Sequence, residues 1–168
     1  MTAEHEALRA RLGRVGVWTF AFDDLPAARV AEDVRAIEEL GAPAVWIPEG
    51  GGSRDVFAHL SWLLANTSTI TVCSGIANVT ARHAEAMRGG AVTLADAYGD
   101  RVVLGLGIGH QVTSARRGIE WSDPLARMEA YLDALDAPSG LAEPAVRWAR
   151  TRTSCRSSTP PVRATSSG

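Results

Sequence analysis

The stretch from Thr69 to His110 constrains the fold more than any other part of the chain. Ile70 and Val72 lie in a β-branched run, which is typical of a strand that is covered on both faces. A helical segment follows, and residues 102–106 form a second short apolar run that is interrupted and closed by glycines. The pattern predicts a strand, a helix and a second parallel strand, which together form a right-handed βαβ unit.

The predicted helix between these strands has apolar residues at helical spacing. Met87, Ala91, Leu94 and Tyr98 lie on one stripe, and Gly99 supplies a C-terminal stop. In parallel α/β folds the chemistry gathers at the carboxyl ends of the strands. We therefore expect the functional site in the segments that follow the two strands.

The rest of the chain continues this alternation of strands and helices. Four predicted strands alternate with four predicted helices at a period of about 30 residues, which is typical of a barrel or of a doubly wound sheet. The first predicted strand covers residues 14–20, and the second covers residues 44–48 and ends before Glu49. Ser53 is predicted to cap the next helix.

The composition changes after Asp136. Residues 137–168 are rich in Pro, Ser, Thr and Arg, contain Glu143 as their one acidic residue, and have no sustained period. Such a segment buries little surface and is predicted to be irregular or disordered. We therefore divide the chain into an N-terminal extension (1–13), an α/β domain (14–136) and a tail.

Composition and charge exclude several classes of protein. The chain has 168 residues, 46% of them hydrophobic, and a formal net charge of -2, which fits one domain with a buried core. This charge gives no indication of a nucleic-acid or membrane partner, and no apolar run approaches the roughly 20 residues of a membrane helix. Cys73 and Cys155 lie far apart without metal-ligand spacing, so we expect a cytoplasmic protein without a metal site.

The chain contains no lysine, since all its basic residues are arginines. Schiff-base chemistry and a Walker-A phosphate site both require a lysine side chain. Both are therefore excluded for this chain.

Three segments resemble a known family. They are V-W-I-P-E (45–49), G-I-A-N-V-T-A-R-H (75–83) and A-V-T-L-A-D-A-Y-G-D-R-V-V-L-G-L-G-I-G-H (91–110). They resemble the bacterial luciferase-like monooxygenase superfamily, above all its oxidoreductases that depend on the deazaflavin coenzyme F420. The resemblance covers residues 14–135.

The resemblance implies a fold and an activity. Members of this superfamily are (β/α)8 TIM barrels, and the present chain has about four βα units, which correspond to the N-terminal half. The tail looks like an out-of-frame reading of the next family segment, so we expect a truncated chain. The implied activity is hydride transfer between coenzyme F420 and a small organic substrate; relatives that use FMN are monooxygenases.

The resemblance also implies the location of the cofactor. Its bulge after the third strand corresponds to Ser74, Gly75 and Ile76, and in relatives this bulge often holds a non-prolyl cis peptide behind the ring. Asn78 completes this predicted cofactor-binding segment. Gly107 and Gly109 are predicted to allow close approach of the backbone to a ring or a phosphate.

The two residues predicted to be catalytic each have a structural alternative. His110 matches a position that holds a polar group beside the reacting carbon, and it either donates a proton or caps a strand end. Glu49 either lies near the coenzyme ring or accepts hydrogen bonds from the glycine loop that follows it.

Trp18 is predicted to line a substrate pocket or to pack in the barrel floor, with core packing favoured. His83 is predicted to cap a helix, and His59 to lie on the surface or on a helix face.

Three hypotheses for the function remain. The first is the F420-dependent oxidoreductase, and the second is a non-catalytic half-barrel that binds a flavin or pairs with another subunit. The third is a doubly wound domain. In a half-barrel we expect one apolar layer of the sheet to lack its partner layer, which predicts a homo-oligomer or an aggregation-prone chain. The residues expected in that layer are Val17, Val45, Ile47, Val72 and Val103.

Overall fold

A single parallel sheet organises residues 3–137, which are the residues that the computed structural model describes. Its strands are β1 (Val17–Trp18), β2 (Ala44–Ile47), β3 (Thr71–Asn78) and β4 (Val102–Gly107). The strand order is β1-β2-β3-β4, and every neighbouring pair is parallel. In a barrel each strand lies beside the next one in the chain, whereas in a doubly wound sheet the order reverses at a switch point. The predicted partial TIM barrel is confirmed, and the doubly wound alternative is wrong.

Helices connect and cover the strands. They are α1 (Ala3–Leu12), α2 (Ala27–Glu39), α3 (Val56–Ala65), α4 (Ala84–Tyr98), α5 (Gln111–Arg116) and α6 (Pro124–Asp136). The sequence pattern predicted four of them, but not α1 or the six-residue α5. Within the described part of the chain, no helix is both long and apolar enough to cross a membrane. The predicted irregular tail lies outside the described residues, except for Ala137.

The apolar core lies between the sheet and helices α2, α3 and α4. Val17, Val45, Ile47 and Val72 belong to the same core cluster as residues of these helices. The prediction that these four side chains face the barrel interior is therefore wrong. Because side chains alternate along a strand, the opposite face carries the next register row, which consists of Trp18, Trp46, Cys73 and Val103. Of the predicted interior layer, only Val103 lies in that row.

Two local boundaries also differ from the prediction. β1 has two residues rather than seven, and the ring of Trp46 fills the space beside Gly16, where a Cβ atom would lie 2.1 Å from Trp46 Cζ3. The N-cap of α3 is Asp55, whose carboxylate accepts from the Ala58 amide at 3.0 Å. Ser53 instead closes the preceding loop, where its hydroxyl bonds to both backbone groups of Gly50.

Charged side chains form hydrogen bonds with backbone groups near the amino ends of the strands. Glu38, near the end of α2, accepts from the amides of Ser68, Thr69 and Ile70 at 2.9, 2.6 and 2.9 Å. Burial alone would raise the pKa of Glu38, but these donors stabilise the carboxylate and lower it from 4.5 to about 2. The carboxylate thus fixes the loop that leads into β3.

Arg101 has the corresponding role before β4. Its guanidinium donates to the carbonyl oxygens of Leu64 and Thr67 at 3.2 and 3.0 Å and to the Thr67 hydroxyl at 2.9 Å. The Leu64 carbonyl belongs to the last turn of α3, where backbone acceptors lack partners within the helix, and Thr67 lies just beyond the end of that helix. The arginine therefore ties α3 to the start of β4.

Helix α1 lies at this same end of the sheet. Arg11 forms an ion pair of 2.7 Å with Asp100, which lies two residues before β4. Gly13 follows α1 with a φ of 67° and lies so close to Pro43 that a Cβ atom would come within 2.6 Å of its ring. The segment predicted as an extension is therefore packed against the residues that precede β2 and β4.

Candidate active site at the carboxyl ends of the strands

A bulge interrupts β3 at its carboxyl end. Gly75 pairs with Gly105, but Ala77 pairs with Leu106, so Ile76 has no partner residue on β4. The peptide bond between Gly75 and Ile76 is cis. Both features are those that the family resemblance implied for this segment, and both are confirmed. Binding of a cofactor at the bulge stays a prediction.

Trp18 lies directly beside the bulge. Its indole Nε1 donates to the Gly75 carbonyl at 3.0 Å, and its ring meets that of Phe20 edge-on at 5.7 Å between centroids. The two side chains are 55% and 63% exposed. The preference for core packing at Trp18 is therefore wrong within the described structure, because β1 is an edge strand and nothing described covers the ring. A role in a substrate pocket stays a prediction.

Glu49 follows β2 and is buried under the loop that follows β3. Its side chain is 5% exposed and forms a two-pronged ion pair with Arg82, whose Nη1 lies 2.8 Å from Oε2. Arg82 also contacts Asp55 at 3.1 Å and stacks over the ring of Phe57. Burial by itself would lower the pKa of Arg82, but the hydrogen bond and charge of Glu49, with Asp55, raise it. The guanidinium of Arg82 thus stays charged, which maintains its ion pair with Glu49.

The backbone of Glu49 and its carboxylate both hold the bulge in place. The Glu49 amide donates to the Ile76 carbonyl at 3.0 Å, and its Oε2 accepts from the Asn78 amide at 2.8 Å. Glu49 therefore clamps the bulge from both sides of Ala77. In this arrangement Glu49 is a positioning residue, and direct participation in catalysis stays a prediction.

Two further candidates in β3 also support the neighbouring backbone. The Ser74 hydroxyl donates to the Gly105 carbonyl at 2.9 Å. The Asn78 side-chain oxygen accepts from the amide and the hydroxyl of Thr80 at 2.9 and 2.8 Å. Both residues are almost fully buried. They shape the loop after β3, and contact with a cofactor stays a prediction for both.

The glycines within and just after β4 lie where residues of β3 leave no room for a side chain. A Cβ atom on Gly105 would come within 2.5 Å of the Ser74 carbonyl oxygen, and one on Gly107 within 2.7 Å of the Ile76 side chain. Gly109, with a φ of 68°, lies against the Asn78 amide group, 2.4 Å from its would-be Cβ atom. The glycines at every second position thus make room for β3 itself. Approach of a ring or phosphate to Gly107 and Gly109 stays a prediction.

The two histidines of the site differ in their contacts. His83 caps α4, where its Nδ1 accepts from the Glu85 amide at 3.4 Å, as predicted. His110 precedes α5, is exposed, and makes no side-chain capping bond. Its imidazole is therefore exposed at the carboxyl edge of the sheet, and a role in proton transfer stays a prediction.

His59 lies on a helix face, which was one of its two predicted locations, but that face is buried rather than at the surface. Its side chain is 2% exposed, and Nδ1 lies 3.9 Å from Asp23. Burial lowers the pKa of His59, and the nearby Arg54 adds to this, although Asp23 acts in the opposite direction. The sequence contained a signal for burial, because His59 lies three residues after Val56, on the apolar stripe of α3.

No group of three or more His, Cys, Asp or Glu residues within residues 3–137 is arranged to hold a metal ion.

The model of the luciferase-like monooxygenase family matches residues 12–162. The chain belongs to the luciferase-like monooxygenase family. The sequence resemblance is thereby confirmed. The match includes residues 138–162, which lie outside the described part of the chain.

The chain is similar to two curated proteins and to one solved structure. The chain is 32% identical over 110 residues to a 5,10-methylenetetrahydromethanopterin reductase of Methanolobus tindarius, which covers 66% of the chain and 34% of that protein. It is 34% identical over 109 residues to a Mycobacterium tuberculosis protein named as a coenzyme F420-dependent oxidoreductase, covering 64% and 31% respectively. The chain thus spans about a third of the length of these relatives.

The structural comparison supports the barrel fold. The coenzyme F420-dependent tetrahydromethanopterin reductase of Methanopyrus kandleri superimposes with a TM-score of 0.61 and 19% identity. The superposition covers 71% of this chain and 38% of the reductase. The four-stranded sheet therefore has the fold of part of a TIM barrel.

Proposed function

We propose that this chain is an oxidoreductase that transfers a hydride between coenzyme F420 and a small organic substrate. The observation that carries the proposal is the β3 bulge at Gly75 and Ile76, with the exposed rings of Trp18 and Phe20 beside it. A bulge that re-aims the backbone next to exposed aromatic rings fits the flat face of a deazaflavin. The names of the Mycobacterium tuberculosis relative and of the Methanopyrus kandleri reductase, both of which specify coenzyme F420, support F420 over FMN.

The residues at the carboxyl ends of the strands would have different roles in this reaction. The bulge and the face of Trp18 would hold the ring, and Glu49 keeps the bulge in position through the amide of Asn78. When bound, the deazaflavin supplies the hydride chemistry. His110, with its exposed imidazole, would hold or release the proton that accompanies the transfer.

A titration of the 168-residue chain with coenzyme F420 and with FMN tests the proposal. We expect tighter binding of F420, and we expect Trp18→Ala to weaken that binding because the ring loses its aromatic contact. Trp62→Ala is the matched control, since Trp62 is also exposed and donates its indole N–H to a carbonyl, that of Ala27 at 3.0 Å. Tighter binding of FMN, or equal losses in the two variants, would contradict the proposal.

We also infer that the chain associates with itself and works in the cytoplasm. Within the described residues, β1 and β4 are the two open edges of the sheet, and open edges recruit further strands. Cys73 is a buried free thiol, which is compatible with a reducing compartment. Light scattering tests the association: we expect species larger than the 17.8 kDa of one chain, and a monodisperse single-chain species with a cooperative melt would contradict it.

A further inference from the structure

A glycine loop at the carboxyl end of β2 is not used by the site described above. The loop, residues 50–53, is closed by Ser53, whose hydroxyl accepts from the Gly50 amide at 2.7 Å. Gly51 and Gly52 are exposed, and within residues 3–137 their amides donate to no protein group. Two main-chain donors are therefore free at this edge of the sheet.

Two arginines from the end of α5 reach this loop. Arg117 donates to the Thr80 hydroxyl at 3.0 Å and to the Gly50 carbonyl at 3.4 Å. Arg116 directs its Nη1 to within 3.8 Å of the place that a Cβ atom on Gly51 would occupy, and Thr113 packs there as well. Both guanidinium groups thus lie beside the loop.

Neither arginine has a carboxylate partner within the described residues. The acceptors of Arg117 are neutral, and Arg116 has none. Glu49, which precedes the loop, and Asp55, which follows it, both pair with Arg82 instead. The positive charges of Arg116 and Arg117 are therefore not neutralised by a carboxylate among the described residues.

We propose that Arg116, Arg117 and the loop of residues 50–53 bind the phosphate group of a phosphorylated small molecule. A guanidinium presents a fork of N–H donors that matches phosphate oxygens, and free amides of a glycine turn bind anions in the same way. The donors here come from two side chains and one loop. A tetrahedral phosphate has enough oxygens to engage all three, whereas a carboxylate would be saturated by one arginine. This site does not depend on the proposed hydride transfer.

Equilibrium dialysis of the 168-residue chain against radiolabelled orthophosphate tests the site. We expect saturable binding of one phosphate that an equal concentration of chloride does not displace. Arg117→Ala should weaken this binding at least tenfold because it removes the fork, and Arg116→Ala should do the same. Arg116 is exposed, so its removal does not threaten the fold.

Arg35→Ala is the matched control. Arg35 is exposed on α2 and also has a neutral acceptor, the Asn66 side-chain oxygen at 2.7 Å, but it lies at the other end of α3 from the glycine loop. We expect its phosphate binding to equal that of the unaltered chain. Absence of saturable binding, displacement by chloride, or equal affinities for Arg116→Ala, Arg117→Ala and Arg35→Ala would overturn the proposal.

A competition experiment identifies the source of the phosphate. Displacement of orthophosphate by intact coenzyme F420, but not by the deazaflavin chromophore without its phosphate, would assign the group to the coenzyme. Retention of orthophosphate in the presence of both would assign it to the substrate. Either result supports the site. Because phosphate binding is measured without turnover, its failure is distinct from failure of the oxidoreductase proposal.

Discussion

The two ends of the sheet use similar residues in opposite ways. At the amino ends of the strands, Glu38 and Arg101 have all their main partners in the backbone of neighbouring loops. At the carboxyl ends, His110, Arg116 and the ring of Trp18 are exposed, and the first two have no side-chain partner within residues 3–137. The difference separates residues that hold the fold from residues that are free to meet a ligand, as in barrels generally.

One ion pair at the carboxyl ends is an exception to this difference between the two ends of the sheet. Glu49 and Arg82 are as well partnered as any residue at the amino ends, although they lie beside the bulge. Position at the carboxyl edge is therefore not sufficient evidence for a chemical role. The satisfied or unsatisfied state of the side chain distinguishes the two kinds of residue.

The largest expected effect concerns His110. If its free imidazole handles the proton, His110→Ala should lower the rate of F420-dependent turnover by about 10²–10⁴-fold, with little change in the melting temperature. His83→Ala is the control, because His83 already caps a helix and should affect stability but not the chemistry. Turnover within a few-fold of the unaltered chain, together with a lower melting temperature, would make His110 structural and break the comparison.

A smaller effect is expected for Gly105→Ala, which tests whether β3 and β4 need their close approach. The new methyl group would lie 2.5 Å from the Ser74 carbonyl oxygen, and a backbone atom within a sheet cannot move aside. We expect a loss of about 1–3 kcal/mol in the free energy of unfolding, measured by urea denaturation.

Gly89→Ala provides the contrast, because a Cβ atom there meets nothing within 4 Å. Gly89 lies inside α4, where alanine is favoured over glycine by about 0.5–1 kcal/mol. The two substitutions should therefore change stability in opposite directions. Equal effects would mean that the glycines of β4 serve a ligand rather than the strand beside them.

The smallest effect is expected for Glu38→Gln, which tests the amino ends. Loss of the charged acceptor should lower the free energy of unfolding by about 1–2 kcal/mol at neutral pH, since the partly exposed carboxylate is screened by solvent. Because the folded pKa of Glu38 is lowered from 4.5 to about 2, its contribution is complete above pH 4.5 and disappears as the pH falls toward 2.

Denaturation curves between pH 2 and pH 7 measure this dependence. The difference between the unaltered chain and Glu38→Gln should shrink as the solution is acidified below pH 4.5. Glu39→Gln, at the neighbouring exposed position, should follow the unaltered chain throughout. A difference that does not change with pH would mean that Glu38 acts through its shape rather than its charge.

Much of the fold followed from periodicity. The apolar runs at 70–72 and 102–106 and the stripe of α4 were sufficient to predict β3, α4 and β4, because each pattern reflects burial on a regular element. The orientation of the sheet was not predictable in this way. In strands that are apolar on both faces, alternation cannot distinguish the helix side from the barrel interior, and so Val45 and Val72 were assigned to the wrong side.

The candidate site was predictable in place but not in detail. The family resemblance located the bulge at Gly75 and Ile76, which the structure contains. The partner of Glu49 could not be inferred, because Arg82 lies 33 positions away in a loop without a periodic pattern. The exposure of Trp18 depends on its place at a sheet edge, which is a property of the whole topology rather than of neighbouring residues.

The indole of Trp18 gives the molecule an optical reporter at the candidate site. Its N–H is fixed to the Gly75 carbonyl while its ring remains open to water. Indole fluorescence responds to solvent around the ring and to energy transfer to a chromophore beside it. A coenzyme seated at the bulge would therefore change the emission of Trp18, so the first step of occupancy can be followed by spectroscopy without any label.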